Sequence, residues 1–151
     1  MPEFKKILVV SRMIQTCRPA IHKGVELARC TGAELFIVHS IYNPFSLKGW
    51  SVGTLSLAEE FGRLLEETKV KLADLVEEEQ AKGVAVRQYI RDGEPTQEIL
   101  KVVKEENIDL LIMLAHEEGV LENLIFNRST ADLVRKMPCS ILLVKKEPEG
   151  A

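Results

Sequence analysis

Chemically active side chains are concentrated in one stretch of this sequence, LAHEEGVLENLIFNR, at residues 114–128. His116 stands beside two carboxylates, Glu117 and Glu118. Neighbouring negative charges raise the pKa of a histidine and suit it to carry a proton near neutral pH. The competing interpretation is an ordinary surface histidine in a loop, and the sequence leaves both open.

Two arginines suggest a second kind of chemistry, the binding of a small anion. Arg12 follows the first apolar run, and Arg128 ends the stretch above. A guanidinium group binds carboxylate or phosphate through charge-assisted hydrogen bonds. Alternatively, each arginine pairs with a nearby carboxylate such as Glu117 or Glu118.

Motifs of common catalytic sites are missing from the sequence. It contains no G-x-S-x-G, H-E-x-x-H, G-x-x-x-x-G-K-[ST] or strand-linked G-x-G-x-x-G. Cys17 has no evident paired base, and the cysteines and histidines are too scattered for a metal site. We therefore predict that the protein is not an enzyme, holds no metal and has reduced thiols.

Composition indicates a single globular domain over residues 1–151. The chain has 46% hydrophobic and 28% charged residues, the balance of a soluble protein with one core. Its net charge of −3 does not favour nucleic acid or an anionic membrane as a partner. No apolar run reaches the roughly 18 residues of a membrane span, and the amino terminus does not read as a signal peptide. We expect a cytoplasmic protein.

The hydrophobic pattern alternates between strands and helices along the chain. Short apolar runs predict strands buried in a parallel sheet, and apolar residues at helical spacing predict helices between them. The predicted strands are KKILVVS (5–11), AELFIVHSI (33–41), VAVRQYI (84–90), IDLLIMLA (108–115) and SILLVKK (140–146). His39 lies within the second of them and is predicted to be a hydrogen-bonded core residue rather than a ligand. Helices are predicted from Pro19 to Thr31, from Ser56 towards Gly83, around Ile99 to Val103, and over STADLVRKM.

This alternation predicts an α/β fold with a five-stranded parallel sheet in the order 3-2-1-4-5 and helices on both faces. Such sheets bind ligands beyond the carboxyl ends of the strands, where the winding reverses. For this order, the crevice lies between strands one and four. The segments that border it are SRMIQT after strand one and the stretch from Leu114 after strand four.

Four segments of the chain fall in the order and spacing usual for the universal stress protein (UspA-like) family. They are KKILVVS, ELARCTGAELFIVHS, GEPTQEILKVVKEENIDLLIM and VRKMPCSILLVKK. The chain resembles that family from about Phe4 to Lys146. The resemblance implies a Rossmann-like domain, similar to adenine nucleotide alpha hydrolases, that usually dimerises and serves stress or starvation responses, sometimes as a nucleotide-binding switch.

Family members that bind ATP carry G-x2-G-x9-G-[ST] after strand four and an aspartate just after strand one. The glycines let backbone N–H groups approach the phosphates. Laid on this chain without a gap, the pattern places four other residues at the motif positions, namely Leu114, Glu117, Asn127 and Arg128. The aspartate position falls on Arg12 or Ser11. The resemblance therefore implies that the ATP contacts are lost.

These replacements have a calculable cost. If the motif glycines need a positive φ, a larger residue there costs on the order of 1 to 3 kcal/mol, or the loop takes another shape. A carboxylate about 4 Å from a phosphate costs roughly 1 kcal/mol in water and roughly 4 at an effective dielectric constant of 20. A competing register pairs Gly119 with Ser129 and Thr130, but it needs His116 at the first glycine position and a gap near Met137.

The fifth predicted strand would be an edge of the sheet with an apolar body, and such an edge invites pairing. The resemblance suggests that a second copy adds its own last strand across a two-fold axis. The residues of this dimer strand are Ser140, Ile141, Leu142, Leu143 and Val144.

The predicted function is a non-enzymatic stress-response or signalling homodimer that does not bind ATP, holds no cofactor and acts on an unidentified protein partner. Two alternatives stay open: an ATP-binding, slowly hydrolysing switch with a degenerate phosphate loop, and a small-anion sensor. The candidates for a nucleotide or ligand pocket are Ser11, Arg12, Ser40, Leu114, His116, Glu117, Gly119, Asn127, Arg128, Ser129 and Thr130.

Overall fold

The computed structural model has strands and helices in the alternating order that the hydrophobic pattern predicts. It describes residues 4–12, 18–40, 62–63, 66–67, 69–71, 73–74, 77, 83–91, 94–114 and 130–145, with only the backbone of residues 12 and 18. The named elements are β1 (Lys6–Arg12), α1 (Arg18–Thr31), β2 (Glu34–Ser40), β3 (Val86–Arg91), α2 (Pro95–Glu106), β4 (Leu110–Leu114) and β5 (Ser140–Val144). Residues 130–136 and the described residues between 62 and 77 are also helical. Among these described helices, none is long and apolar enough to cross a membrane.

The five parallel strands form one sheet in the order β3-β2-β1-β4-β5, which confirms the predicted fold class. The strand bounds differ slightly from those predicted. Arg12 is the last residue of β1 rather than the first residue of the following loop, because its backbone continues the ladder opposite Ser40. In the same way β3 extends to Arg91, which also lies opposite Ser40.

Alternate residues of β1 face opposite sides of the sheet and build two hydrophobic cores. Ile7 and Val9 pack with α1, whereas Leu8 and Val10 pack with α2 and with Leu133 of the helical segment 130–136. Burying one such aliphatic side chain contributes roughly 1.5 to 3 kcal/mol. All five residues of β4 are buried as well. The apolar runs of β1 and β4 therefore belong to strands that are covered on both faces.

Helix α1 approaches the sheet most closely at Gly24. A Cβ atom added there would lie 2.4 Å from Cγ2 of Val9 and 3.2 Å from Cδ1 of Leu35. Both neighbours are core side chains with no exposed surface, so neither can move aside without disturbing its own packing. Glycine at this position sets the distance between α1 and the central strands.

Helix α2 is capped at both ends by its own residues. Glu94 accepts hydrogen bonds from the backbone N–H groups of Thr96 (3.2 Å) and Gln97 (2.9 Å), and its charge suits the positive end of the helix dipole. Pro95 follows it in the first turn. At the other end Asn107 takes a left-handed conformation (φ 56°), and its N–H bonds to the carbonyl of Val103.

A carboxylate joins the amino ends of β1 and β4. Asp109 accepts hydrogen bonds from the backbone N–H of Lys5 (2.8 Å) and from that of Lys6 (3.2 Å). The backbone N–H of Asp109 in turn donates to the carbonyl of Lys6 (3.0 Å). These bonds satisfy the donors that precede the β1–β4 ladder and fix its register.

One polar pair lies inside the core at the opposite end of the sheet. His39 Nδ1 is 3.0 Å from the hydroxyl of Ser11 on the adjacent strand, and the two residues are only 4% and 3% exposed. Burial lowers the pKa of His39 from 6.5 to about 4, because an imidazolium would lose its hydration there. His39 is thus a neutral, hydrogen-bonded core residue, as its place within an apolar strand predicts.

Gly24→Ala should destabilise the protein although alanine favours helices. The helix propensity gained is about 1 kcal/mol, whereas forcing a methyl group against Val9 costs typically 1 to 3 kcal/mol. We expect a lower midpoint in chemical denaturation. Gly62→Ala is the matched control, since a Cβ at this helical glycine meets no atom within 4 Å, and it should stabilise. Equal effects of the two substitutions would refute the close approach.

Acid should destabilise the protein through His39. The unfolded chain binds a proton near pH 6.5 and the folded chain only near pH 4. Stability is therefore unaffected by this group above pH 6.5 and falls between the two values, by about 3 kcal/mol in total. In urea denaturation at a series of pH values, His39→Gln should flatten this decline, and His22→Gln on the exposed face of α1 should not. Identical pH profiles for wild type and His39→Gln would contradict the assignment, as would an NMR titration midpoint of the His39 ring near its ordinary value.

Candidate functional site

The carboxyl ends of β1, β2 and β3 bring polar residues together in two rows, one on each face of the sheet. Ser11 lies opposite His39 on the face covered by α1. On the face covered by α2, Ser40 lies between Arg12 and Arg91. Neighbouring strands are about 4.8 Å apart, so the backbones of the residues in one row are close enough for their side chains to contact the same small ligand.

The first row has an unused polar atom. Ser11 occupies Nδ1 of His39, while Nε2 of the same ring is buried and has no hydrogen-bond partner among the described residues. A neutral imidazole always offers one donor and one acceptor. Because burial lowers the pKa of His39 to about 4, this nitrogen is suited to a neutral hydrogen bond and not to proton transfer near pH 7.

The second row has two unused polar atoms. Oγ of Ser40 is buried, as is Nε of Arg91, and neither has a partner in the part of the chain that the structure describes. The Arg91 guanidinium carbon lies 5.3 Å from the centre of the Tyr89 ring, a distance at which a cation is attracted to the ring face. The hydroxyl of Tyr89 donates to Glu106 at 2.5 Å, and this bond is the largest cause of its raised pKa.

The structure describes five of the eleven predicted pocket candidates. Ser11, Arg12 and Ser40 lie together at the carboxyl ends of β1 and β2. Leu114 ends β4, and Thr130 begins the helical segment 130–136. The other candidates, His116, Glu117, Gly119, Asn127, Arg128 and Ser129, lie outside the described residues. They include His116 and Glu117 of the proton-carrier interpretation, and its third residue, Glu118, also lies outside the described residues.

Leu114 has an ordinary strand backbone. It lies opposite Val144 of β5 and is 6% exposed within the core under α1. The described non-glycine residues with positive φ are Asn107 and Met137. The strain considered for a left-handed Leu114 is therefore not present, because the strand continues through this position.

Two residues of the carboxyl edge were not among the predicted candidates. The predicted candidates lie on or after β1, β2 and β4, and Arg91 of β3 is not among them. His39 was assigned to the core alone, although its second nitrogen also lies at this edge. The signal available in the sequence was the strand order itself, since β3 next to β2 places Arg91 beside Ser40.

The free edge of β5 borders a shallow groove of about 650 Å³ beside α1. Its lining combines exposed polar residues with partly apolar strand residues: Pro19, His22, Lys23 and Glu26 from α1, and Leu142, Leu143, Val144 and Lys145 from the β5 region. Leu143 is 46% exposed. Lys23 and Glu26 form an ion pair at 3.2 Å, which contributes little because both side chains are mostly in water.

Proteins of similar sequence are known from two microorganisms. The chain is 26% identical to universal stress protein MJ0577 of Methanocaldococcus jannaschii, with 95% of this chain and 96% of that protein covered. It is also 26% identical to universal stress protein A homolog 2 of Coxiella burnetii, with 96% and 97% covered.

Solved structures share the fold. The structure of MJ0577 superposes with a TM-score of 0.73 at 24% identity, covering 98% of this chain and 100% of that one. A universal stress protein in complex with cAMP gives a TM-score of 0.62 at 14% identity, with 95% and 98% covered. One from Archaeoglobus fulgidus in complex with dAMP gives 0.62 at 16% identity, with 96% and 100% covered.

The family assignment follows from the sequence match as well as from the fold. The two relatives cover nearly the whole chain, and the parallel sheet has the order predicted from the alternation of strands and helices. In addition, residues 3–145 match the sequence profile of the Universal stress protein family. The chain belongs to the Universal stress protein family.

Proposed function

We propose that this universal stress protein is a non-enzymatic homodimer that acts through protein contacts and does not hold ATP. The observation that carries the proposal is the end of β4. Leu114 occupies the first glycine position of the family's ATP motif in the ungapped register, and its side chain fills the core under α1. A phosphate cannot approach the backbone there without displacing that side chain.

The end of β1 supports the same proposal. The residue opposite Ser40 is Arg12, and the family resemblance places an aspartate at Arg12 or at its neighbour Ser11. An aspartate accepts hydrogen bonds, whereas an arginine only donates them. A base recognised through a carboxylate would therefore lose its partner at this position.

The absence of bound ATP can be tested directly. Protein purified from the cell under mild conditions and then denatured should release far less than one equivalent of ATP per chain. Calorimetry with millimolar Mg-ATP should show no binding heat. Denaturing a sample with added ATP controls for the recovery of the nucleotide. Release of one equivalent of ATP per chain from the purified protein would contradict the proposal.

A nucleotide-binding switch is the second candidate function. It is favoured by the related structures that contain cAMP and dAMP, and by the buried, unpartnered Nε2 of His39 at the carboxyl edge. In the competing register Gly119, Ser129 and Thr130 supply the phosphate contacts. Calorimetry with cAMP and AMP beside Mg-ATP separates the two candidates, since binding of any of these would favour the switch.

The proposed dimer rests on the edge strand β5. Its inner side pairs with β4, and no other strand of the described sheet pairs with its outer side. Ile141, Leu142 and Val144 are half-buried and Leu143 is exposed. An apolar strand with free backbone groups is stabilised by pairing with another strand. A second copy of the protein, related by a two-fold axis, supplies its own β5 as a partner strand with the same apolar pattern.

Leu143→Lys should convert the dimer to a monomer. A charge in the contact would have to be buried unpaired, whereas in the monomer it stays in water, so folding stability should change little. Light scattering coupled to size exclusion measures the mass. Val134→Lys, at a valine 36% exposed on the helical segment 130–136, is the matched control and should remain dimeric.

A second substitution tests the backbone contribution. Leu142→Pro removes a donor from β5 and should give monomer or insoluble protein. An unchanged dimer mass for both Leu143→Lys and Leu142→Pro would show that the dimer, if present, uses another surface.

A further inference from the structure

Two arginines of β3 differ in a way that suggests a missing ligand. Arg87 and Arg91 project from the same face of the strand, since they are four positions apart. Nε of Arg87 forms an ion pair with Glu34 at 3.1 Å, and the pair is partly in water. Nε of Arg91 is buried and has no partner among the described residues. A buried guanidinium N–H without an acceptor is costly, so its environment is completed by something that accepts a hydrogen bond.

Ser40 supplies a second donor beside it. The residue lies opposite Arg91 on the adjacent strand, is 1% exposed, and its hydroxyl also has no partner in the described structure. A guanidinium N–H can only donate, and a serine hydroxyl can donate as well. The group that satisfies both atoms is therefore an acceptor, and the charge of Arg91 favours an anionic one.

The Arg91 side chain is already held in place. It rests on the Tyr89 ring at 5.3 Å, and Tyr89 is fixed by its hydrogen bond to Glu106. Glu106 ends α2, where its carbonyl accepts a hydrogen bond from Nζ of Lys6 at 2.9 Å. Contacts of this kind reduce the conformational entropy that an arginine loses on binding, and so favour a specific site over a loose surface charge.

The nearby acids have other partners. The Glu94 carboxylate caps α2 through two backbone N–H groups, and the Glu106 carboxylate accepts the Tyr89 hydroxyl. No ion pair joins either acid to Arg91 in the described residues. Neither of these carboxylates therefore neutralises the guanidinium of Arg91 in the part of the chain that the structure describes.

We propose that Ser40 and Arg91 form a binding site for a small oxyanion, a phosphate or carboxylate group, at the carboxyl ends of β2 and β3. The site differs from the Arg12–Arg128 pair considered from the sequence, because its anchor lies on β3. It goes beyond the proposed function and does not depend on the dimer or on the loss of ATP. Its failure would leave both of those predictions standing.

The test compares phosphate with chloride at equal ionic strength. Inorganic phosphate at millimolar concentration should raise the melting temperature of the wild-type protein by several degrees. Arg91→Gln should abolish that shift, and Arg87→Gln, which removes an equal charge from the same face of the same strand, should retain it. Calorimetry should show phosphate binding weakened about tenfold or more by Arg91→Gln, as expected for loss of a charged hydrogen bond.

Ser40→Ala provides an independent readout. Without ligand, removal of a buried and unpaired hydroxyl should leave the melting temperature in chloride unchanged or higher. In phosphate the same variant should gain less than the wild type. If Ser40 had only a structural role, Ser40→Ala would lower the melting temperature equally in both buffers. That result would overturn the proposal.

Acetate and AMP identify the source of the anion. Stabilisation by acetate, phosphate or AMP that depends on Arg91 supports the site. The compound that raises the melting temperature most identifies the class of ligand. The proposal fails if none stabilises the wild type, or if Arg87→Gln and Arg91→Gln weaken the response equally. It also fails if Arg128→Ala abolishes the response while Arg91→Gln does not, since the anion would then bind in the 114–128 stretch.

Discussion

The parallel pairing of β1 with both β2 and β4 is the constraint on which the rest of the structure depends. From Ile7 to Val9, β1 has a neighbouring strand on each side and a helix layer on each face, so its backbone groups and its side chains are committed there. Ile7 and Val9 hold α1, and Leu8 and Val10 hold α2. The winding direction changes at this strand, so the polar ends of β1 and β2 open towards the crevice and not into another layer.

At the carboxyl edge, apolar surroundings meet polar atoms that have no partner within the described ranges. Hydrogen bonds and charges count for more there than in water, because the local dielectric is low. In the proposed oxyanion site, the Ser40 hydroxyl supplies a directional hydrogen bond and Arg91 supplies charge. A change of one or two residues at the strand ends would change the ligand that such an edge can hold. Arg12 or its neighbour Ser11, where the resemblance expects an aspartate, is one such difference.

The sequence predicted the strand order, because apolar runs of strand length separated by helical spacing leave few right-handed arrangements. It also predicted His39 as a buried, hydrogen-bonded residue. It did not predict that Nε of Arg91 would be buried without a partner among the described residues, since the last residue of an edge strand has no pattern that distinguishes it from a solvated arginine. Nor did it predict the close approach at Gly24, which depends on the distance between helix α1 and the strands beneath it. Distances of this kind come from packing, which periodicity alone does not encode.

The carboxylate bridge at the amino ends of β1 and β4 has a consequence for the order of folding. Lys5 and Asp109 are 104 residues apart in the chain, so the ladder between these strands closes a long loop and forms slowly. During synthesis β1, α1 and β2 emerge well before β4, and one edge of β1 stays unpaired until then. The crevice therefore comes into existence only when most of the chain has been made. A ligand of this edge can slow unfolding of the finished protein, but it cannot guide the first steps of its assembly.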